Sequence, residues 1–406
     1  MEERKLYKLK DFIQFNPTER IAKGVFSRKI AMEQLNPYTR YVSSDNFENY
    51  KGGAKFKNGD TIMARITPCL ENGKTAYISS LEENEVAFGS TEYIVLRNIA
   101  NVSDSKYIYY LAIYPLIRNI AIQSMVGSSG RQRVQQSVLE NYEFMLPPIC
   151  EQKRIANLLS SLDDKIELNR RINDNLEQQA QALFKSWFVD FDPFKDGNFV
   201  DSELGMIPEG WSVDVLSNFG KIVCGKTPSK AKVEYFGGNI PFIKIPDMHN
   251  NTFILTTNDS LSNEGSNSQA NKLIPPYSIL VSCIATVGLV SFNTKYSQTN
   301  QQINTIIPTN SKYRHFLYQQ LNSMNEFIEN LGRGGTATLN VNTSQFSGIK
   351  IKRPNEEVIN MYENVVAPIY SKIEKLYLEN KILSIQRDCL LPKLMSGELK
   401  INNLNC

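Results

Sequence analysis

Between Cys150 and about Phe188 the residues Ile155, Leu159, Leu162, Ile166, Asn169, Asn173, Leu176, Ala180, Leu183 and Trp187 follow one another at alternating steps of four and three. A heptad seam held over more than four heptads predicts one long helix with a narrow apolar stripe. Neither Gly nor Pro interrupts the run; Pro147-Pro148 precede it and Asp192-Pro193 follow it, as helix punctuation does. At ~1.5 Å per residue, about 38 residues make a rod of roughly 57 Å. Such a rod exposes its seam unless a second helix covers it.

The second helix is written in the same frame. Adding 207 to each seam position gives Tyr362, Val366, Ile369, Ile373, Leu376, Asn380, Leu383, Arg387, Leu390 and Leu394, eight of them large and apolar. Pro368 lies early in this run, so the helix is expected to start or bend there. The stretches ahead of the two helices also correspond. Gly127-Ser-Ser-Gly130-Arg-Gln-Arg133 leads into Tyr142-Glu-Phe-Met-Leu-Pro147, and Gly332-Arg-Gly-Gly335-Thr-Ala-Thr338 into Ile349-Lys-Ile-Lys-Arg-Pro354. Upstream, Asp60-Thr-Ile-Met-Ala-Arg65 is similar to Tyr277-Ser-Ile-Leu-Val-Ser282. A unit of globular domain plus long helix is thus written twice. The expected fold class is α+β: two α/β domains separated by two long helices that form an antiparallel coiled coil, a pseudo-two-fold internal repeat. The expected bounds are 1–148 for the first domain, 149–192 for the central helix, 193–210 for a linker, 211–354 for the second domain, and 355–406 for the C-terminal helix and tail. Asn173 and Asn380 stand at equivalent core positions. Either they meet near the pseudo-two-fold axis, fixing register as buried seam asparagines do, or both are solvated at the seam edge.

Charge and chemistry narrow the function. Lys and Arg number 45 against 42 Asp and Glu, a net charge of only +3, so no global basic field announces a nucleic-acid partner. Locally, residues 1–60 hold twelve basic and eight acidic groups, and 221–250 five and two, whereas 151–190 holds six and seven. The helices therefore read as protein-contact elements, and the globular domains carry the basic surface. The only histidines, His249 and His315, leave few candidates for proton relay or metal ligation. Of these, His249 in a polar stretch could face a base or phosphate, or be an ordinary surface residue. Six scattered cysteines without CxxC spacing suggest reduced thiols. The charged N-terminus is no signal peptide, and no apolar run approaches the roughly 18 residues of a membrane span, so a cytoplasmic location is expected. Asn36-Pro-Tyr38 and Asp192-Pro-Phe194 resemble the Asn/Asp-Pro-Pro-aromatic motif of adenine methyltransferases, but both lack the second proline and no Gly-rich cofactor turn accompanies them.

Several strings, in this order, resemble the DNA-specificity subunit of type I restriction–modification systems over nearly the whole chain. In the first half they are Asn58-Gly-Asp-Thr-Ile-Met-Ala-Arg65, Pro68-Cys-Leu70, Gly89-Ser-Thr91, and Gly130-Arg-Gln-Arg133 running to Leu146-Pro-Pro148 and Glu151-Gln-Lys-Arg-Ile-Ala156. In the second they are Ile207-Pro-Glu-Gly-Trp211, Gly225-Lys-Thr-Pro-Ser229, Tyr235-Phe-Gly-Gly-Asn-Ile-Pro-Phe-Ile243, Asp247 and Thr299-Asn-Gln-Gln302. The second half lacks the Glu-Gln-Lys-Arg string of the first helix. The resemblance implies two target-recognition domains, each reading half of a bipartite site in double-stranded DNA. It also implies helices that set the spacing and dock two modification (methyltransferase) subunits, joined by restriction subunits in the full complex. No cofactor and no catalytic residue is expected in this chain; S-adenosylmethionine and adenine methylation would belong to the partners. Since glycine permits close backbone approach and Arg offers a planar fork, the glycine-rich loops and nearby cations are the candidate DNA contacts. They are Arg65, Thr67, Lys74, Ser129, Arg131 and Arg133 in the first half, and Lys226, Thr227, Ser229, Lys230, Lys244, Arg333, Thr336 and Thr338 in the second. The alternatives are a self-contained DNA methyltransferase or nuclease with a degenerate motif, and a coiled-coil adaptor that binds only protein.

Overall fold

A computed structural model describes residues 3–128, 130–333 and 339–401. The candidate contacts Ser129, Thr336 and Thr338 lie outside the described residues. The chain divides into two compact units, one made of the residues up to Leu168 with those from Asn380 onward, the other of Asn169–Glu379. Two long helices, α1 (Ile149–Phe184) and α2 (Glu356–Ser396), each contribute to both units. A π turn, Lys185–Val189, continues α1. Against expectation, α2 begins ahead of Pro368 and is continuous through it; Pro368 is exposed. Among the described residues, no helix is long and apolar enough to cross a membrane.

The internal repeat is visible in secondary structure at the same offset. A ribbon pairs Lys5–Lys8 with Glu143–Leu146 in the first unit, and Ser212–Val215 with Lys350–Arg353 in the second. Each position of the second ribbon is the first plus 207, and so is each position of the 3-10 turn that follows, Leu9–Asp11 against Leu216–Asn218. The main sheet of the first unit has the order Ile13–Phe15, Tyr93–Asn98, Thr61–Ala64, Thr75–Tyr77. Its counterpart has Gly220–Cys224, Ile303–Pro308, Ile279–Ser282, Val290–Asn293, extended by Phe253–Ile254. The two β-branched runs judged similar in sequence, Thr61–Ala64 and Ile279–Ser282, thus hold the same place in the two sheets. Both are fully buried, as apolar strands covered on both faces are. Each unit adds a smaller sheet built on a parallel pair, Phe26–Ile30 with Ala87–Gly89 and Phe236–Ile243 with Gln298–Thr299.

Within each unit the helical segments run antiparallel. In the first, Asp163 meets Arg387 at 2.7 Å, and the Asn380 side-chain amide donates to the Ile166 carbonyl at 3.3 Å. In the second, Asn169 donates to Glu379 at 3.0 Å, and the rings of Phe188 and Tyr362 lie 4.8 Å apart. The heptad stripe is the inner face: Ile155, Leu159, Ile166, Asn173, Ile373 and Leu376 are buried, and Leu162, Leu176, Leu183, Ile369, Asn380, Leu383 and Leu390 half-buried. Asn173 and Asn380 belong to different units. The Asn173 side-chain oxygen Oδ1 is buried with no hydrogen-bond partner among the described residues, a polar cost carried inside an apolar seam.

The stretch 193–210 is an ordered connection. Phe199–Val200 pairs with Ile207–Pro208, and Phe191 and Phe194 pack on Trp211 at 5.6 and 5.4 Å. Among the described residues Cys69, Cys224, Cys283 and Cys389 are free, in line with the expectation of reduced thiols at those positions.

Arg387 occupies a seam position and is buried with Asp163, whose other oxygen accepts the Tyr110 hydroxyl at 2.6 Å. Removing one member of a buried pair strands the other charge. Asp163→Ala is therefore expected to destabilise the first unit by about 3–5 kcal/mol, with the double variant Asp163→Leu, Arg387→Met recovering most of that loss. Urea unfolding of the three proteins checks this; equal stability of Asp163→Ala and the parent contradicts it.

Candidate nucleic-acid interface

In the second unit, two strings that are 74 residues apart (225 to 299) form one surface. Gly225 donates its amide to Ile303 O at 3.1 Å and Lys226 to Thr299 O at 2.9 Å. A β-carbon on Gly225 would stand 2.1 Å from Asn300 O, so only glycine lets these backbones approach. Thr227 donates to Gln301 Oε1 at 2.8 Å, and the Gln269 amide holds the Lys226 carbonyl at 2.7 Å. This leaves Lys226, Ser229 and Lys230 exposed along the loop, with no ion pair among the described residues. Lys232 lies over the Tyr235 ring at 4.9 Å, and Tyr235 O sits where a β-carbon on Gly265 would clash. A close-packed backbone platform bearing lysines, hydroxyls and an amide suits phosphates and base edges.

The corresponding region of the first unit is a cleft of about 400 Å³ lined by Asn16, Thr18, Glu19, Tyr50, Lys55, Arg65, Thr91 and Tyr93. An offset of 210 carries Gly89-Ser-Thr-Glu92 onto Thr299-Asn-Gln-Gln302, which places Thr91 opposite Gln301. Gly53, at φ 115°, closes on Gly89 O; a β-carbon there would lie 2.0 Å away. Lys55 donates to Glu19 O at 2.9 Å over the Tyr50 ring. Arg97 bridges the buried Asp60, at 2.6 Å, and Glu19, also at 2.6 Å, fastening the cleft wall to the sheet. Burial raises the Glu19 pKa, but the Arg97 hydrogen bond and charge, and then Lys57, outweigh it and hold the carboxyl below its ordinary range.

The remaining candidates divide by what their polar atoms already touch. Arg131 is exposed beside Gly130, without an ion pair among the described residues. Arg133 is exposed, but its guanidinium grips Glu92 through two nitrogens, at 2.9 and 2.6 Å; that hydrogen bond holds Glu92 below its ordinary pKa, against burial. Arg333 pairs with Glu329 at 2.9 Å on the surface. Four others already have partners within the chain. Arg65 turns inward to Val134 O at 3.3 Å. Thr67 donates to the Met125 sulfur at 3.4 Å. Lys74 donates to Met32 O at 2.8 Å. Lys244 pairs with Asp259 and covers the Phe242 ring. Reasoning from residue type missed Gln301, Lys232, Lys55 and Thr91; the repeat offset was the signal that could have found the last.

The strings that resemble a methyltransferase motif have structural roles. Tyr38 lies under Arg118, which donates to its hydroxyl at 3.0 Å, and Phe194 packs on Trp187 and Trp211. His315 is buried between Glu363, at 2.9 Å, and a stacked Tyr370; His249 is exposed. Among the described residues, no group of His, Cys, Asp or Glu is arranged to hold a metal ion.

A family model described as type I restriction modification DNA specificity domain matches residues 1–178 and again 208–384. The chain is 38% identical over 431 aligned residues to the type I restriction enzyme HindI specificity subunit of Haemophilus influenzae, covering 90% of this chain and 92% of that one. It is 28% identical over 308 residues to the type I restriction enzyme MjaIX specificity subunit of Methanocaldococcus jannaschii, covering 74% and 70%. In fold it is similar to the type I restriction–modification system S subunit from M. genitalium, with a TM-score of 0.54 at 14% identity over 96% of this chain and 95% of that one.

Gly225→Ala is expected to lift the 225–229 loop from Thr299. Amide exchange at Gly225 and Lys226 would then lose protection while the buried amides of Ile279–Ser282 keep theirs. Unchanged protection at both loop amides would contradict the close approach.

Proposed function

Because the chain belongs to the type I restriction–modification DNA specificity family, we propose that each of its two repeats reads one half of a single split DNA sequence. The chain is the DNA-recognition subunit of such a system and is itself non-catalytic, as a specificity subunit. The observation that carries the two-half reading is the recurrence of ribbon, sheet and close-packed turn in the same order in both halves. A surface that one unit offers to a duplex has its counterpart on the other.

In this reading Lys226 and Lys230 meet phosphates, and Ser229 and Thr227 stand next to the groove with Gln301. Arg131 presents a free fork to a base edge, guanine being its best partner. Arg133 and Arg333 are held by Glu92 and Glu329 until DNA competes for them. Ser129, Thr336 and Thr338 keep their places in the proposal on sequence alone. Thr67, Lys74 and Lys244 act as scaffold, since their polar atoms are engaged, whereas Arg65 lines the cleft of the first unit with only one guanidinium nitrogen given to Val134 O. The long helices fix the distance between half-sites and dock two modification subunits; Ile382 and Ile385, each more than half exposed on α2, are apolar surface suited to that contact. Those partners would bring S-adenosylmethionine and adenine methylation, and restriction subunits would join them in the cytoplasm. Partner charge would supply attraction that a net +3 chain lacks.

The test is binding of the assembled complex to its duplex across a salt series. Lys226→Ala and Lys230→Ala should each weaken all sequences alike and lower the slope of log affinity on log salt by about 1. Arg131→Ala should instead relax discrimination at one base pair by about 1–3 kcal/mol. If all three variants keep the parent's slope and site choice, these loops do not form the interface.

A further inference from the structure

The two units differ at one equivalent place. In the first, the Arg40 carbonyl accepts the Tyr77 amide at 2.9 Å; in the second, the Thr252 carbonyl accepts the Phe292 amide at 2.8 Å. Tyr77 pairs with Thr61 and Phe292 with Ile279, the first residues of the corresponding central strands, so Thr252 stands where the first unit has Arg40. On the helices, the offset of 207 pairs Asp163 with Tyr370, Ala180 with Arg387 and Glu177 with Ser384. In the first unit this place is full: Arg40 lies on Asp164, and Arg387 on Asp163. In the second, Thr and Ala replace both arginines, and a cleft of about 290 Å³ opens, lined by Glu177, Thr252, Tyr318, Tyr370 and Tyr377 among others.

Glu177 is half-buried, and among the described residues it has the Thr252 hydroxyl as hydrogen-bond partner and no cation. Burial pushes its pKa above the ordinary carboxylate value, and Asp174 adds to the rise. A desolvated carboxylate without a cation is costly, and a ring of tyrosines beside it favours a flat cation.

We propose that this cleft of the second unit binds a guanidinium group, which pairs with Glu177 against the tyrosine rings and takes the place that Arg40 holds in the first unit. The group belongs either to a small guanidinium compound or to an arginine side chain of a partner chain; the chemistry of the cleft is the same for both. Charge sets the pH dependence. Binding needs the carboxylate, so it weakens as pH falls through the raised Glu177 pKa.

The experiment is titration of the full chain with methylguanidinium, at concentrations well below denaturing, followed by NMR or calorimetry. Saturable binding is expected, weakened at least tenfold by Glu177→Gln, with the pH dependence gone in that variant. Thr252→Arg, which refills the cleft from within, should abolish binding while keeping the chain folded. Asp164→Asn in the first unit should leave it unchanged. Loss of the site on assembly with the modification subunits assigns it to a partner arginine; an unchanged site in the complex assigns it to a small molecule. No saturable binding to the free chain, or equal binding by the parent and Glu177→Gln, overturns the proposal.

Discussion

Two helices of 36 and 41 residues, each with an apolar stripe, constrain everything else in this chain. Neither stripe can be left in water. Burying an aliphatic or aromatic side chain contributes about 1.5–3 kcal/mol, so a seam of ten positions outweighs any single contact in the domains. Antiparallel packing within each unit answers that constraint, and each compact unit is therefore assembled from segments distant in sequence. Around the seam, the ribbon and its turn keep the offset of the helices, and the sheets follow in the same order with small insertions.

Specificity within the seam comes from a few polar residues. Asp163, Arg387, Tyr110 and Asp388 form one linked set in the first unit, and Asn169 with Glu379 a second in the other. Buried polar pairs of this kind add little stability over an apolar replacement, but they penalise every slipped register. Arg4 has a similar locking role: it reaches Glu151 and the Leu394 carbonyl at 2.7 and 2.9 Å, tying the first strand to both helices of its unit. A cation at the last carbonyls of a helix is favourable in itself.

Much of the fold was legible because it rests on periodicity. The four-three spacing gave α1 almost to its ends, and the 207 offset located α2 and the strand ahead of it; the ribbon and the turn, at the same offset, were not singled out. Pro368 does not start α2, because packing of Tyr362, Val366 and Tyr370 on the core holds the helix on both sides of it. The candidate interface was legible in its strings and not in its side chains. Gly225 and Thr299-Asn-Gln-Gln302 could be singled out, yet nothing in sequence says that they touch. Nor does residue type distinguish Arg131, without an ion pair among the described residues, from Arg133, whose fork is held by a glutamate 41 positions away. Lys74 and Lys244 look alike in sequence to Lys226 and Lys230. Only their surroundings show that the first two are occupied by a carbonyl and a carboxylate.

The central claim is that one domain-plus-helix unit, written twice, reads two half-sites held apart by the helices. Mapping of methylated adenines across the source genome, with this gene present and deleted, tests it most directly. The account predicts a split motif, two short specific blocks around an unspecified spacer, whose methylation disappears on deletion. A continuous motif, or a methylation pattern indifferent to the deletion, would contradict it.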